Sequence, residues 1–174
     1  MSKVSGKVSD VMTRGVRTLT PEDSMLQAAQ AMETLDVGVI PVCDGERLVG
    51  LVTDRDLVLR GMAQGYPADT TRLDGMITRE VQCCHEDDSL DEVLHKMGDA
   101  AVRRLPVLDA EHRLVGMVTL GDVAARTSAA EHGRTGQALS DISQPTGPAH
   151  AGAPRTTGTT GGGAAEDPSQ PLSA

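Results

Sequence analysis

The chain has 174 residues and a formal net charge of −9, with no Phe, no Trp and a single Tyr, Tyr66. That length suits one domain or two small ones sharing a core, and the core has to be built from Val, Leu, Ile, Met and Ala, which reach native packing density without aromatics. The acidic balance excludes the basic face that nucleic acid needs for counterion release, but leaves room for a small anion in a locally basic pocket.

No run approaches the roughly 20 apolar residues of a membrane span. The opening "MSKVSGKVSDVM" has Lys3 and Lys7 but lacks the apolar segment of a signal peptide. Cys43, Cys83 and Cys84 form neither a CxxC pair nor an even framework, which fits a reducing compartment. These features describe a cytoplasmic protein without membrane association, whose partners are small molecules or other proteins.

In chain order, the segment around Thr13 and Val16 is short and extended, and a helix follows. Ser24 and Gln27 have the spacing of a capping box. Met25, Ala28, Ala29 and Met32 then make one apolar face, with methionine as core filler. "VIPV" and "RLVGLVT", joined by "CDGE", read as two strands around a turn, and their near-continuous apolar runs predict strands covered by helices. A second helix starts at Thr53, with Leu57-Val58 on a stripe that needs cover, and Tyr66 anchors the connection that follows.

The same order of elements then returns. "MITREVQCCHEDDSLDEVLHKM" (76–97) matches "VMTRGVRTLTPEDSMLQAAQAM" (11–32), and "RLVGMVTLGD" (113–122) matches "RLVGLVTDRD" (47–56). Ser89 and Glu92 repeat the capping box; Leu90, Val93, Leu94 and Met97 repeat the stripe; Val123-Ala124 repeats the second helix's apolar pair. An internal repeat of this size defines the fold: an α+β pair of units, each strand-helix-strand-strand-helix. A unit this small has too little core to stand alone, so the two pack together. The boundaries read as a first unit at 8–64, a linker at 65–74, a second unit at 75–127 and a disordered tail at 128–174. The tail has eight Gly, five Pro and only three residues from the Leu, Ile, Val and Met set, too little apolar surface to offset chain entropy.

Both copies place Gly, Thr and Asp in register: Gly50, Thr53 and Asp56, then Gly116, Thr119 and Asp122. Two readings of Thr-x-x-Asp stand side by side. It is a helix-capping signature, and it also sets a hydroxyl beside free backbone amides that attract phosphate, with a carboxylate able to accept hydrogen bonds from vicinal hydroxyls such as those of ribose. Glycine at the strand leaves room for a ligand or another backbone to approach.

Paired copies of "h-x-h-P-V … G-h-V-T-x-x-D" make residues 8 to about 127 resemble a tandem CBS-domain module, or Bateman module, particularly the stand-alone two-CBS proteins of actinobacteria. The resemblance implies two β-α-β-β-α units packed through their sheets about a pseudo-two-fold axis, and a homodimer shaped as a flat disc. It also implies clefts that take adenine nucleotides such as AMP, ADP, ATP or S-adenosylmethionine. Carried over position by position, Thr53, Asp56, Thr119 and Asp122 fall on the phosphate and ribose contacts. Thr13, Val16, Thr78 and Val81 fall on the opening segment that lies against the base. Gly38-Val39 and Arg103-Arg104 fall where a phosphate-facing cation often sits, and only the second copy supplies one.

Other constellations carry less. Adjacent Cys83 and Cys84, followed by His85 and Glu86, are poorly disposed for tetrahedral ligation, so no metal is expected. No nucleophile lies beside a base, so no catalytic residue and no enzymatic activity are expected. Two functions remain: a regulatory module that senses an adenine nucleotide, holds no other cofactor and signals to an unidentified effector protein, or a ligand-free stress-response scaffold acting through protein contacts.

Overall fold

Two reciprocal side-chain caps start the long helices. In the computed structural model, which describes residues 4–126 and Gly136, Ser24 Oγ accepts from the Gln27 amide at 3.2 Å while Gln27 Oε1 accepts from the Ser24 amide at 2.7 Å. Ser89 and Glu92 repeat the arrangement at 3.3 and 3.0 Å. These caps open α1 (Met25–Leu35) and α3 (Leu90–Asp99). α3 buries Leu90, Val93, Leu94 and Met97, the predicted stripe. In α1 the buried set is Met25, Ala28, Ala31 and Met32, so Ala31 takes the place expected for Ala29.

Each helix is followed by an antiparallel hairpin: β2 (Val39–Asp44) with β3 (Arg47–Thr53), and β5 (Arg104–Leu108) with β6 (Leu114–Thr119). Both hairpins carry an irregularity at the same repeat position, after Val42 and after Val107. The second helix of the first copy begins as α2 (Asp54–Asp56) and runs on through a π-helical stretch (Leu57–Gly61) and a 3-10 turn (Met62–Gln64). Its counterpart is α4 (Leu120–Arg126).

The opening segments cross over between copies. β1 (Thr13–Arg14) pairs not with its own hairpin but with β6, Thr13 opposite Met117 and Arg14 opposite Gly116. Reciprocally, Thr78 bridges Leu51 of β3 through hydrogen bonds of 2.9 and 3.0 Å. β4 (Cys84–His85) runs parallel to β5 and completes a sheet ordered β1-β6-β5-β4. Leu19 takes the equivalent place beside Val42 in the first copy.

The cores are exchanged in the same way. Val4 and Val8 pack with Leu90, Val93 and Leu105 of the second copy, and Leu73, Met76 and Ile77 pack with Leu19, Met25 and Ile40 of the first. This crossing accounts for the repeated glycine. A methyl group on Gly50 would run into the Thr78 carbonyl, and one on Gly116 into the Thr13 carbonyl, so each hairpin admits the other copy's backbone only where no side chain stands.

Two expectations are corrected. Leu57 and Val123 need no second chain, because both are buried within this one; Val58 is the residue left open, at 49% exposure. Tyr66 anchors nothing with its ring, which is 53% exposed. The connection at 65–74 is tied down by other groups: the Thr71 carbonyl accepts from the Met25 amide, and Leu73 is fully buried. The tail at 128–174 lies, apart from Gly136, outside the described residues. No described helix is long and apolar enough to cross a membrane.

Candidate functional site

The repeated motif lies where each hairpin hands over to a helix. Thr53 donates its amide and hydroxyl to Asp56 Oδ2 at 3.0 and 2.6 Å, and its Oγ1 accepts from the Asp56 amide at 3.1 Å. Thr119 and Asp122 reproduce this at 2.8, 2.8 and 3.1 Å. Both pairs are therefore capping boxes, and the carboxylates hold the threonines in place. Asp56 also faces Arg60 Nε at 3.4 Å.

Because the opening segments cross, the threonines meet partners from the other copy. One cavity of about 350 Å³ brings Thr13 and Val16 together with Thr119 and Arg104. Its floor is apolar, formed by Val37, Val39, Ile40 and Pro41 of the first copy with Met117 of the second. A second cavity of about 750 Å³ brings Thr78 and Val81 together with Thr53, Arg103 and Arg104. A third hollow of about 430 Å³ lies where Arg103 and Arg104 adjoin Thr119 and Gly121. Asp56 and Asp122 line none of the three.

Eight of the ten residues singled out from the sequence thus gather in two crossed groups, and the two aspartates stand behind them. Several lining residues escaped the sequence reading. Arg17, next to Val16, adds a cation to the Thr119 cavity; Asp54, Arg55 and Glu80 put charges of both signs into the Thr53 cavity. Adjacency in sequence was the available signal, since each follows or nearly follows a residue already chosen.

The cations differ in how they are engaged. Arg14 is paired with Glu86 at 2.9 Å. Among the described residues, the side chains of Arg17, Arg103 and Arg104 make no ion pair and no hydrogen bond with protein. Arg103 is exposed and Arg104 half-buried, so both are disposed to meet an anion. On β5, Arg104 lies opposite Thr119; at the matching place on β2, Val39 lies opposite Thr53.

The thiols are not organised for chemistry. Burial pushes Cys84 up to about 12 and Cys43 up to about 11, and it also raises Cys83. Cys84 sits in the second core with its Sγ 3.7 Å from the Pro106 carbonyl. No group of three or more His, Cys, Asp or Glu among the described residues is placed to hold a metal ion. His85 and His112 meet edge to face with ring centroids 6.0 Å apart.

Paired hairpins with crossed opening segments, and a threonine at the rim of each cleft, define a two-repeat fold. The CBS domain model matches residues 8–62 and 73–128, and the chain belongs to the CBS-domain family. It is 46% identical over 140 residues to "Uncharacterized protein YlbB" of Bacillus subtilis (strain 168), covering 79% of this chain and 92% of that one. It is 38% identical over 116 residues to Hypoxic response protein 1 of Mycobacterium tuberculosis, 66% of this chain and 80% of that one.

Among solved structures it is similar to Hypoxic Response Protein I with two coordinated zinc ions, at a TM-score of 0.65 and 35% identity over 71% of this chain and 100% of that one. It is also similar to the CBS-domain pair of protein MJ0100 in complex with 5'-methylthioadenosine and S-adenosyl-L-methionine, at a TM-score of 0.61 and 28% identity over 70% of this chain and 94% of that one. The tandem CBS arrangement expected from the sequence is therefore the observed one.

Proposed function

We propose that this chain is a regulatory module that binds an adenine nucleotide, of the AMP, ADP, ATP or S-adenosylmethionine type, between its two CBS domains and passes its state to an effector protein. One observation carries the reading: the opening segment of one repeat, the threonine of the other and an unpaired arginine converge on one cavity with an apolar floor. An adenine ring needs the floor, and phosphate needs the guanidinium and the Thr119 hydroxyl, whose proton turns to it from Asp122 Oδ2.

Thr119, Arg104, Thr13 and Val16 form the principal subsite, with Arg103 in the hollow beside Thr119; Thr53, Thr78 and Val81 form the second. Asp122 and Asp56 act first through the threonines they orient, and accept ribose hydroxyls where the sugar reaches them. The adenosyl ligands of the MJ0100 pair support this ligand class. The protein works as a cytoplasmic homodimer without enzymatic activity, its domains bounded at 8–64 and 75–127. The zinc of the hypoxic response neighbour has no counterpart cluster among the described residues.

Thermal shift across a nucleotide panel tests the reading, together with mass spectrometry of small molecules released from the purified protein. A ligand at 100 times its dissociation constant stabilises the fold by about 2.7 kcal/mol. The scaffold alternative draws on the exposed apolar side chains of Val58, Leu59 and Met62; it expects no shift with any nucleotide and no released ligand.

A further inference from the structure

The two clefts draw on one pair of cations. Arg104 lines both the Thr119 cavity and the Thr53 cavity, and Arg103 lines the Thr53 cavity and the hollow beside Thr119. The repeat puts Val39 where Arg104 stands, and Val39 likewise lines both cavities, but it brings no charge. The positions at 39 and 104 thus sit between the clefts, and only one of them is cationic.

What remains to each cleft without the shared pair is unequal. The Thr119 cavity keeps Arg17, together with Arg14, which is paired with Glu86, and has no carboxylate in its lining. The Thr53 cavity keeps Arg55 against Asp54 and Glu80, two carboxylates to one guanidinium.

We infer that anion binding at the two clefts is negatively coupled through Arg103 and Arg104, so that each chain holds one phosphate-bearing ligand, at Thr119, and its Thr53 cavity then takes an uncharged or zwitterionic nucleoside-type ligand. This rests on the nucleotide reading above. A phosphate at Thr119 draws both guanidinium groups toward itself, and the Thr53 cavity is left with net negative charge that repels a second phosphate. Linkage makes the effect reciprocal: a phosphate at Thr53 would weaken binding at Thr119 by the same factor.

Native mass spectrometry of the full chain, titrated with AMP and separately with the uncharged nucleoside adenosine, tests this. The expected pattern is one AMP per chain with a second at least ~10-fold weaker, but two adenosines within about threefold of each other, since a coupling of this kind is on the order of 5–150-fold. With both compounds present, a complex of one AMP and one adenosine per chain should dominate. Two AMP molecules of equal affinity would overturn the coupling. A single adenosine per chain would overturn it too, because the Thr53 cavity would then be no site, while the nucleotide reading would stand. Binding of neither compound removes the nucleotide reading and this inference with it.

Val39→Arg gives the first repeat its own cation opposite Thr53 and should bring the second AMP within about threefold of the first. An unchanged gap in the folded variant counts against the shared pair; if the variant does not fold, the mixed complex of the unmodified chain decides.

Discussion

Arg104 stands directly across the β5–β6 ladder from Thr119, whereas Val39 stands across β2–β3 from Thr53. Residues opposite each other on an antiparallel pair point to the same face, so the cation and the hydroxyl share one side of the second hairpin. In a chain of net charge −9, that local compensation decides where an anion can sit. A charge-assisted hydrogen bond contributes roughly 1.5–3 kcal/mol, and about 1.4 kcal/mol is tenfold in affinity.

Arg104→Ala should therefore weaken nucleotide binding by roughly 10-fold or more, with little change in melting temperature, since its side chain has no protein partner among the described residues. Asp122→Ala should weaken binding comparably and Asp56→Ala less. Both aspartate variants also break a capping box, which costs about 0.5–2 kcal/mol of stability, so calorimetric affinity and melting temperature have to be read together. Equal losses of affinity from Asp56→Ala and Asp122→Ala would contradict the asymmetry.

The crossed opening strands make a prediction about stability alone. Gly50→Ala and Gly116→Ala each set a methyl group against a backbone carbonyl of the other repeat, and backbone cannot swing aside as a side chain tip can. Each should cost about 1–3 kcal/mol or more in denaturant midpoint. Gly121→Ala is the control: among the described residues its methyl group meets only Thr119 Oγ1, at 3.5 Å, and within a helix it should be neutral or gain up to about 1 kcal/mol. Loss of stability at all three positions alike would mean that close approach is not the cause.

These glycines also show what was legible before the structure and what was not. Their repetition in register marked them, and close approach of a backbone was one of two reasons open for it. The capping boxes at Ser24 and Ser89 were readable because a cap is local: two side chains three residues apart suffice. The crossing was not readable, because β1 is two residues long and carries no periodicity. For the same reason the pairing of Thr13 with Thr119, and of Thr78 with Thr53, was hidden although all four residues had been chosen. The stripes at Leu57 and Val123 read as faces needing cover, because sequence shows that a face is apolar, not which neighbour covers it. Arg104 was marked as a cation for one cleft; that it borders both follows only from how the hairpins meet.

Acid should act on the second repeat first. Hydrogen bonds from the Arg113 amide and guanidinium hold the Asp109 carboxyl below its usual range, and the Ser89 amide and hydroxyl do so for Glu92. Burial pushes Asp88 up, but hydrogen bonds from Lys96 Nζ and the His85 amide outweigh it and leave it lowered. A carboxyl depressed in the folded state contributes stability that is complete above its unfolded value, about 3.9 for Asp and 4.3 for Glu, and is lost as pH falls through the folded value. Hydrogen exchange should then show protection failing below about pH 4 in residues 84–126 before residues 19–62. Asp109→Asn should destabilise at neutral pH, and its deficit against the unmodified chain should shrink as pH falls. A deficit that is the same at both ends of that range would exclude this origin.

If the chain forms the homodimer proposed above, the remaining apolar surface is where the second copy docks. Val58 and Leu59 are each 49% exposed, Met62 68% and Leu26 41%, and Val58 and Met62 lie four residues apart on the stretch that continues α2. Single exposed apolar residues are ordinary, but several on neighbouring elements mark an interaction face, and an isologous dimer buries the same face twice. Met62→Asp and Val58→Asp should each shift the chain to monomer in light scattering at micromolar concentration. The fold itself should survive, because neither side chain belongs to the buried cores. Reducing agent should leave the dimer intact: Cys43 and Cys84 are buried, with thiols raised to about 11 and 12, and burial raises Cys83 as well, so none is an efficient thiolate at neutral pH. A dimer that persists in both aspartate variants would place the interface elsewhere, and one that falls apart in reductant would move it to Cys83.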